Sequence, residues 1–155
     1  ENVTTDELVF LGYFGNADPD SHGISATPLP LIEFGREPLD LEPGVYCISA
    51  TCLQAVYGNA PGRWNVQYED YYQHLNATHP DEQTIEPEIL QQWDVLKARR
   101  LCAYLRNLEP DANAGYSILI YRVSQDQLDE ALFGPPVELD ELSWEQQRTM
   151  QAFHQ

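Results

Sequence analysis

Residues 8–14 (LVFLGYF) form an apolar run of strand length, ending in the turn-forming series Gly15, Asn16, Ala17, Asp18 and Pro19. Residues 44–49 (GVYCIS) read as a second strand and 116–123 (YSILIYRV) as a third. The near-continuous apolar character of the third suggests burial on both faces. Between the first two strands, residues 25–40 carry Pro28, Pro30 and Pro38 and read as a loop or an extended edge segment. Three strands make a small sheet, so either an early strand belongs to a missing N-terminal part or residues 29–34 add an edge strand.

Helical spacing fills most of the remainder. Residues 51–57 can start a short helix capped by Ser49 or Thr51. After the turn at 58–63 (GNAPGR), Tyr68, Tyr71, Tyr72 and Leu75 share helical spacing over 67–76. The clearest helix spans 84–107, with Thr84 as its cap and Glu86 and Glu88 near its positive end. Its stripe is Ala98, Leu101, Cys102, Leu105 and Leu108. Residues 109–115 (EPDANAG) read as a turn. Ser124-x-x-Gln127 opens a helix with Leu128, Ala131 and Leu132 inward, and Gly134-Pro135-Pro136 stops it. A second capping box, Ser143-x-x-Gln146, opens a C-terminal helix with Trp144, Met150 and Phe153.

Strands separated by helices predict an α/β fold, a small sheet at least partly parallel and flanked by helices. Residues 1–134 form the α/β domain and 135–155 a helical appendage of it. The length of 155 residues suits one domain with a sizeable core.

Charge narrows the function. With 25 acidic residues against 8 basic, the net charge is −17, which opposes nucleic-acid and anionic-lipid surfaces. Nucleic acid is therefore not an expected partner. Lys97, Arg99, Arg100 and Arg106 fall in one segment, where they suit the C-terminal half of a helix dipole, with a local anion site as the alternative. No apolar stretch reaches a membrane span and no signal peptide is visible. The sequence starts at Glu1, close to the first strand, and reads as a mature product or an excised piece of a longer chain.

Candidate chemistry is sparse. Asn16, Asp18 and His22 follow the first strand; Asp18 and His22 can bind a ligand or pass a proton, or form an Asx turn and an exposed imidazole. Ser49, Thr51 and Gln54 follow the second strand, where a hydroxyl-rich strand-to-helix turn either presents backbone N–H groups to an anion or caps a helix. If the first two strands are parallel neighbours, both turns open on one edge of the sheet. Asp70, His74 and His79 read as a solvated face rather than a metal site. Tyr68, Tyr71 and Tyr72 can stack on a sugar or face a core. Cys47, Cys52 and Cys102 are an odd set in apolar surroundings, expected as inert thiols. No catalytic motif stands out; neither cofactor nor metal is expected, and the catalytic residues are unknown.

Three segments carry a resemblance: Tyr13-Phe14-Gly15-Asn16-Ala17-Asp18-Pro19 with Gly23-Ile24; Gly44 through Thr51 with Leu53-Gln54 and Val56-Tyr57; and Gly115-Tyr116-Ser117-Ile118 through Tyr121. In this order they resemble the soluble C-terminal part of bacterial membrane glycosyltransferases related to dolichyl-phosphate-mannose protein mannosyltransferases. The resemblance covers roughly residues 8–124. It departs at Ser21 and His22, where the family tends to carry two tyrosines, and at Cys52, where it tends to carry Asn. It implies an N-terminal multi-span region that transfers sugar from a polyprenyl-phosphate donor. It also implies that this part faces the extracytoplasmic (periplasmic) side of the inner membrane. Carboxylates that carry transfer lie in the membrane-embedded region, so this part is expected to be non-catalytic alone. Its expected partners are the membrane-embedded region of the parent chain and a sugar or acceptor. The alternative is a free-standing small α/β enzyme acting on a polar metabolite.

Overall fold

The computed structural model describes residues 8–12, 26–32, 38–56, 58–78, 86–115 and 117–137. The elements run β1 (Val9–Gly12), β2 (Thr27–Pro28), β3 (Gly44–Ser49), α1 (Ala50–Leu53), α2 (Val66–Thr78), α3 (Pro87–Leu105), β4 (Ala112–Ala114), β5 (Ile118–Val123) and α4 (Gln125–Phe133). Five strands form one sheet in the order β2-β1-β3-β5-β4. The β1 strand is parallel to both β2 and β3, whereas β5 is antiparallel to both β3 and β4. The fold is thus a small α/β unit with a partly parallel sheet.

Alternation along the strands sets the core. Phe10, Tyr46, Ile48, Tyr121 and Val123 are buried in one cluster with Cys52 and Leu53 of α1, Ala98, Leu101, Cys102 and Leu105 of α3, and Leu128, Ala131 and Leu132 of α4. Phe10 stacks on Tyr46 with centroids 4.5 Å apart. The stripe expected on α3 is therefore the side that meets the sheet. A second cluster, Trp64, Tyr72, Leu75, Trp93, Leu96 and Ala103, joins α2 to α3. Within α2, Tyr72 is buried while Tyr71 is exposed, so helical spacing assigns these tyrosines to different surroundings. Ser124 forms the expected capping box with Gln127.

Several expectations are corrected. The edge strand lies at Thr27–Pro28, not at Leu29–Ile32, while residues 33 and 34 lie outside the described residues; Leu29 still donates to the Leu11 carbonyl at 2.7 Å. Pro30 lacks an N–H and cannot extend the ladder, so Leu29 and Leu31 turn into the core instead. Residues 112–114 form β4, within what reads as a turn, because Gly115 at φ +65° closes a hairpin onto β5. The β5 strand is not buried on both faces: Tyr121 and Val123 are buried and Arg122 is exposed. Helix α3 begins at Pro87 with Glu86 at the cap position and no side-chain cap, so the helix start lies beyond Thr84. Val137 packs on the second cluster. Tyr13, Phe14 and the C-terminal helix expected after Ser143 lie outside the described residues.

Candidate functional site

The β1–β3 register pairs Gly12 with Ile48, so both strands end at the same edge of the sheet. With β2 on the far side of β1, the strand order reverses at this point. Such reversals leave a crevice outside the carboxyl ends of parallel strands. Ser49, Thr51 and Gln54 leave β3 at this edge; Asn16, Asp18 and His22 lie outside the described residues.

The three described candidates have different surroundings. Ser49 is the N-cap of α1: its Oγ accepts from the Cys52 amide at 3.1 Å, and the residue is buried. Its hydroxyl is therefore structural. Thr51 sits inside α1 and does not cap it, which corrects the capping alternative for that residue. Thr51 is half-buried and Gln54, the C-cap residue, is exposed. Just beyond them Val56 stands 60% exposed. Together they offer a hydroxyl, an amide and an apolar side chain.

A buried arginine ties this edge together. Arg99 is 2% exposed. Its guanidinium donates to the carbonyls of Asn59 (2.7 Å), Cys52 (2.9 Å) and Leu31 (3.1 Å). These belong to the 58–63 turn, to α1 and to the turn after β2. Arg106 donates to the Leu53 carbonyl. The two arginines thus add donors to carbonyls at the end of α1, where the Cys52 carbonyl also accepts from the Ala55 amide at 3.1 Å. Burial lowers the Arg99 pKa, yet a guanidinium stays charged at neutral pH.

The segment held by Arg99 has an unusual backbone. Ala55, Gly58, Ala60 and Gly62 all have positive φ, at 56°, 100°, 48° and 89°. A Cβ on Gly58 would lie 2.2 Å from the Leu31 carbonyl oxygen, so only glycine fits there. For the two alanines this conformation costs roughly 1–2 kcal/mol each. It is fixed by Asn59 N to Leu31 O (2.8 Å), Asn59 Nδ2 to Pro30 O (3.2 Å) and Gly62 N to Ala55 O (2.8 Å).

Arg100 has a separate role. Also 2% exposed, it pairs with Glu69 through Nε (2.9 Å) and Nη2 (3.1 Å), and donates to the carbonyls of Ala131 and Gly134. It joins α2, α3 and the end of α4. The basic cluster therefore does not act as surface charge on a helix dipole. Pattern reading named Arg99 only within a basic segment and Val56 only within the resemblance, and it missed the carbonyls that Arg99 joins. A signal existed: Arg99 and Arg106 are two turns apart beside Cys102, and Arg100 shares a flank with Leu96 and Ala103.

The described part of the edge offers neutral hydrogen-bonding groups and, in the 58–63 turn, the exposed Arg63. Among the described residues 26–32, 49–56 and 58–63 there is no carboxylate and no histidine. The cysteines are free; Cys52 and Cys102 are buried, and burial pushes the Cys47 thiol up, away from the nucleophilic thiolate. Elsewhere, Asp70 and His74 are exposed on α2, and His79 lies outside the described residues. No cluster of three or more His, Cys, Asp or Glu able to hold a metal occurs among the described residues. No described helix is long and apolar enough to cross a membrane. No protein-family profile, curated protein or solved structure matches this chain.

Proposed function

We propose that this chain is a non-catalytic domain of a membrane glycosyltransferase that uses a polyprenyl-phosphate sugar donor. It faces the extracytoplasmic side, and its β1/β3 edge orients a sugar or acceptor for the membrane-embedded region of the parent chain. One observation carries the reading: two of the segments that resemble the family contain β3 and β5, which are neighbours in the sheet, and the third follows in sequence on β1, which pairs with β3 and ends at the same edge. That edge offers Thr51, Gln54 and Val56, with no described carboxylate or histidine beside them. Such a lining suits sugar hydroxyls. A phosphate is disfavoured by the net charge of −17.

The test is sugar transfer by the full-length transferase in membranes. Thr51→Ala and Gln54→Ala each remove one neutral hydrogen bond to the ligand, about 0.5–1.5 kcal/mol. Transfer should fall about three- to tenfold for each, with the thermal midpoint of the 155-residue chain unchanged. Wild-type transfer in both variants rejects the reading. So does turnover of a lipid-linked sugar by the 155-residue chain alone, which points instead to a free-standing enzyme.

A further inference from the structure

We propose that this fold is set up for a medium of high ionic strength: its exposed carboxylates repel one another, and dissolved cations at about 1 M are needed to screen that repulsion before the folded state reaches full stability. The cations act as an ionic atmosphere and occupy no discrete site. The inference stands on the placement of charge alone and does not depend on the sugar-orienting reading above.

The imbalance on the outside is steeper than the sequence totals of 25 acidic and 8 basic residues. Among the described residues, ten carboxylates are exposed against two basic side chains, Arg63 and Arg122. The other described bases are drawn inward. Arg99 and Arg100 are each 2% exposed, the first bonded to backbone carbonyls and the second to Glu69 and to carbonyls of its own. Lys97 lies 4.3 Å from the centre of the Trp93 ring and 3.8 Å from the buried Asp94. Arg106 is half-buried and donates to the Leu53 carbonyl. These bases tie interior segments together, while the acids make up the outside.

Local spacing makes the repulsion act on folding. On α4, Asp126 stands three and four residues before Asp129 and Glu130, the spacing at which helical side chains meet, so like charges there destabilise the helix. Such neighbours are about 5–6 Å apart at their Cβ atoms. Asp129 and Glu130 also lie toward the negative end of the helix dipole, and α4 has no base in its last turn. Elsewhere, exposed Asp40 and Glu42 flank Leu41, and exposed Glu109 and Asp111 flank Pro110. The screening length is about 8 Å at 0.15 M salt and about 3 Å at 1 M, so only concentrated salt uncouples charges this close. Unfolding relieves the same repulsion, because the expanded chain holds its charges farther apart. The folded state is therefore the one that gains from salt.

The test is thermal unfolding of the 155-residue chain in KCl, followed by circular dichroism. The midpoint should rise by at least about 10 °C between about 0.1 M and about 1 M KCl. A double variant, Asp129→Asn with Glu130→Gln, is the control. Each amide keeps an acceptor oxygen for the bonds from Gln125 Nε2 (2.8 Å) and the Tyr104 hydroxyl (3.2 Å), so only charge is removed. With less repulsion to screen, it should melt about 2–4 °C above wild type at about 0.1 M KCl and level with it at about 2 M. A smaller rise in wild type, or a midpoint that falls with salt, overturns the proposal. So do parallel salt curves for the two chains, which make the rise a general strengthening of apolar burial by salt. Full stabilisation by about 5 mM MgCl2 in about 0.1 M KCl overturns it as well, since that marks a discrete divalent site. If wild type is unfolded in dilute salt, KCl must fold it cooperatively, and the double variant at a lower concentration; a chain still unfolded at about 2 M overturns the proposal.

Discussion

Glu69→Gln removes one charge and almost no volume, and it strikes the point where three helices are tied. The carboxylate accepts from Trp64 Nε1 (2.9 Å), Gln73 Nε2 (2.7 Å), Arg100 Nε (2.9 Å) and Arg100 Nη2 (3.1 Å). An amide has a single acceptor oxygen, and its NH2 must face one of these donors. The Arg100 charge then stays buried without its counter-charge, held by the carbonyls of Ala131 and Gly134. Removing one partner of a buried pair costs about 3–5 kcal/mol. With a urea slope of about 2 kcal/mol per molar, the midpoint should fall by about 1.5–2.5 M. Urea titration followed by circular dichroism and by the fluorescence of Trp64 and Trp93 reads this. A fall under about 0.5 M at unchanged slope refutes the reasoning. Replacing both partners, Glu69→Leu with Arg100→Met, should recover most of the loss, since the penalty comes from the orphaned charge rather than the missing bond. The pH dependence follows. Burial alone would raise the Glu69 pKa, but the hydrogen bonds from Arg100, Gln73 and Trp64 outweigh it and leave it below the ordinary 4.5. The stabilisation from the pair is complete above the unfolded value near 4.5 and is lost as pH falls through the lower folded value. The gap between wild type and Glu69→Gln should therefore be full at neutral pH and close in strong acid.

Gly58→Ala should cost at least about 2 kcal/mol, because φ is +100° and the new methyl meets the Leu31 carbonyl; a wild-type melting temperature contradicts this. Ser124→Ala removes the capping box of α4 and should cost about 1 kcal/mol by chemical denaturation; no measurable change would show that cap to be dispensable. Reducing agent should leave the melting temperature unchanged, as Cys47, Cys52 and Cys102 are free; a fall of many degrees would reveal a bridge.

Strand β3 and the stripe of α3 were legible because each carries its own pattern: residues 45–48 are an apolar run between Gly44 and Ser49, and Ala98, Leu101, Cys102 and Leu105 recur on one helix face. The Ser124 box was legible because its partner is three residues away. Strand β4 had no such signal: Ala112, Asn113 and Ala114 are all exposed, and only pairing with β5 makes them a strand. The antiparallel run of β5 also depends on a neighbour, since the same apolar residues would serve a parallel strand. Arg99 and Arg100 were hidden for a related reason. Charged residues read as surface unless their partners are known, and the carbonyls of Leu31, Cys52 and Asn59 are distant in sequence. At the site, the Thr51–Gln54 turn could be found from its hydroxyls. The turn at 58–63 could be read from its glycines, but not its anchoring to Leu31 and to Arg99, which are distant in sequence.

The pairing of β3 with β5 sets the order in which the chain can organise itself. Ser49 at the end of β3 meets Ile118 at the start of β5, about 70 residues later, with three helices in between. The β4–β5 hairpin is local and α2 packs on α3 without help from the sheet, so both can form early. The central ladder must wait for a long loop to close, which slows folding. During synthesis, β3 emerges without its antiparallel neighbour and stays an open apolar edge until residue 123 leaves the ribosome. Over that interval the chain is most prone to pair with a second copy of itself, and chains cut short before β5 should aggregate rather than fold.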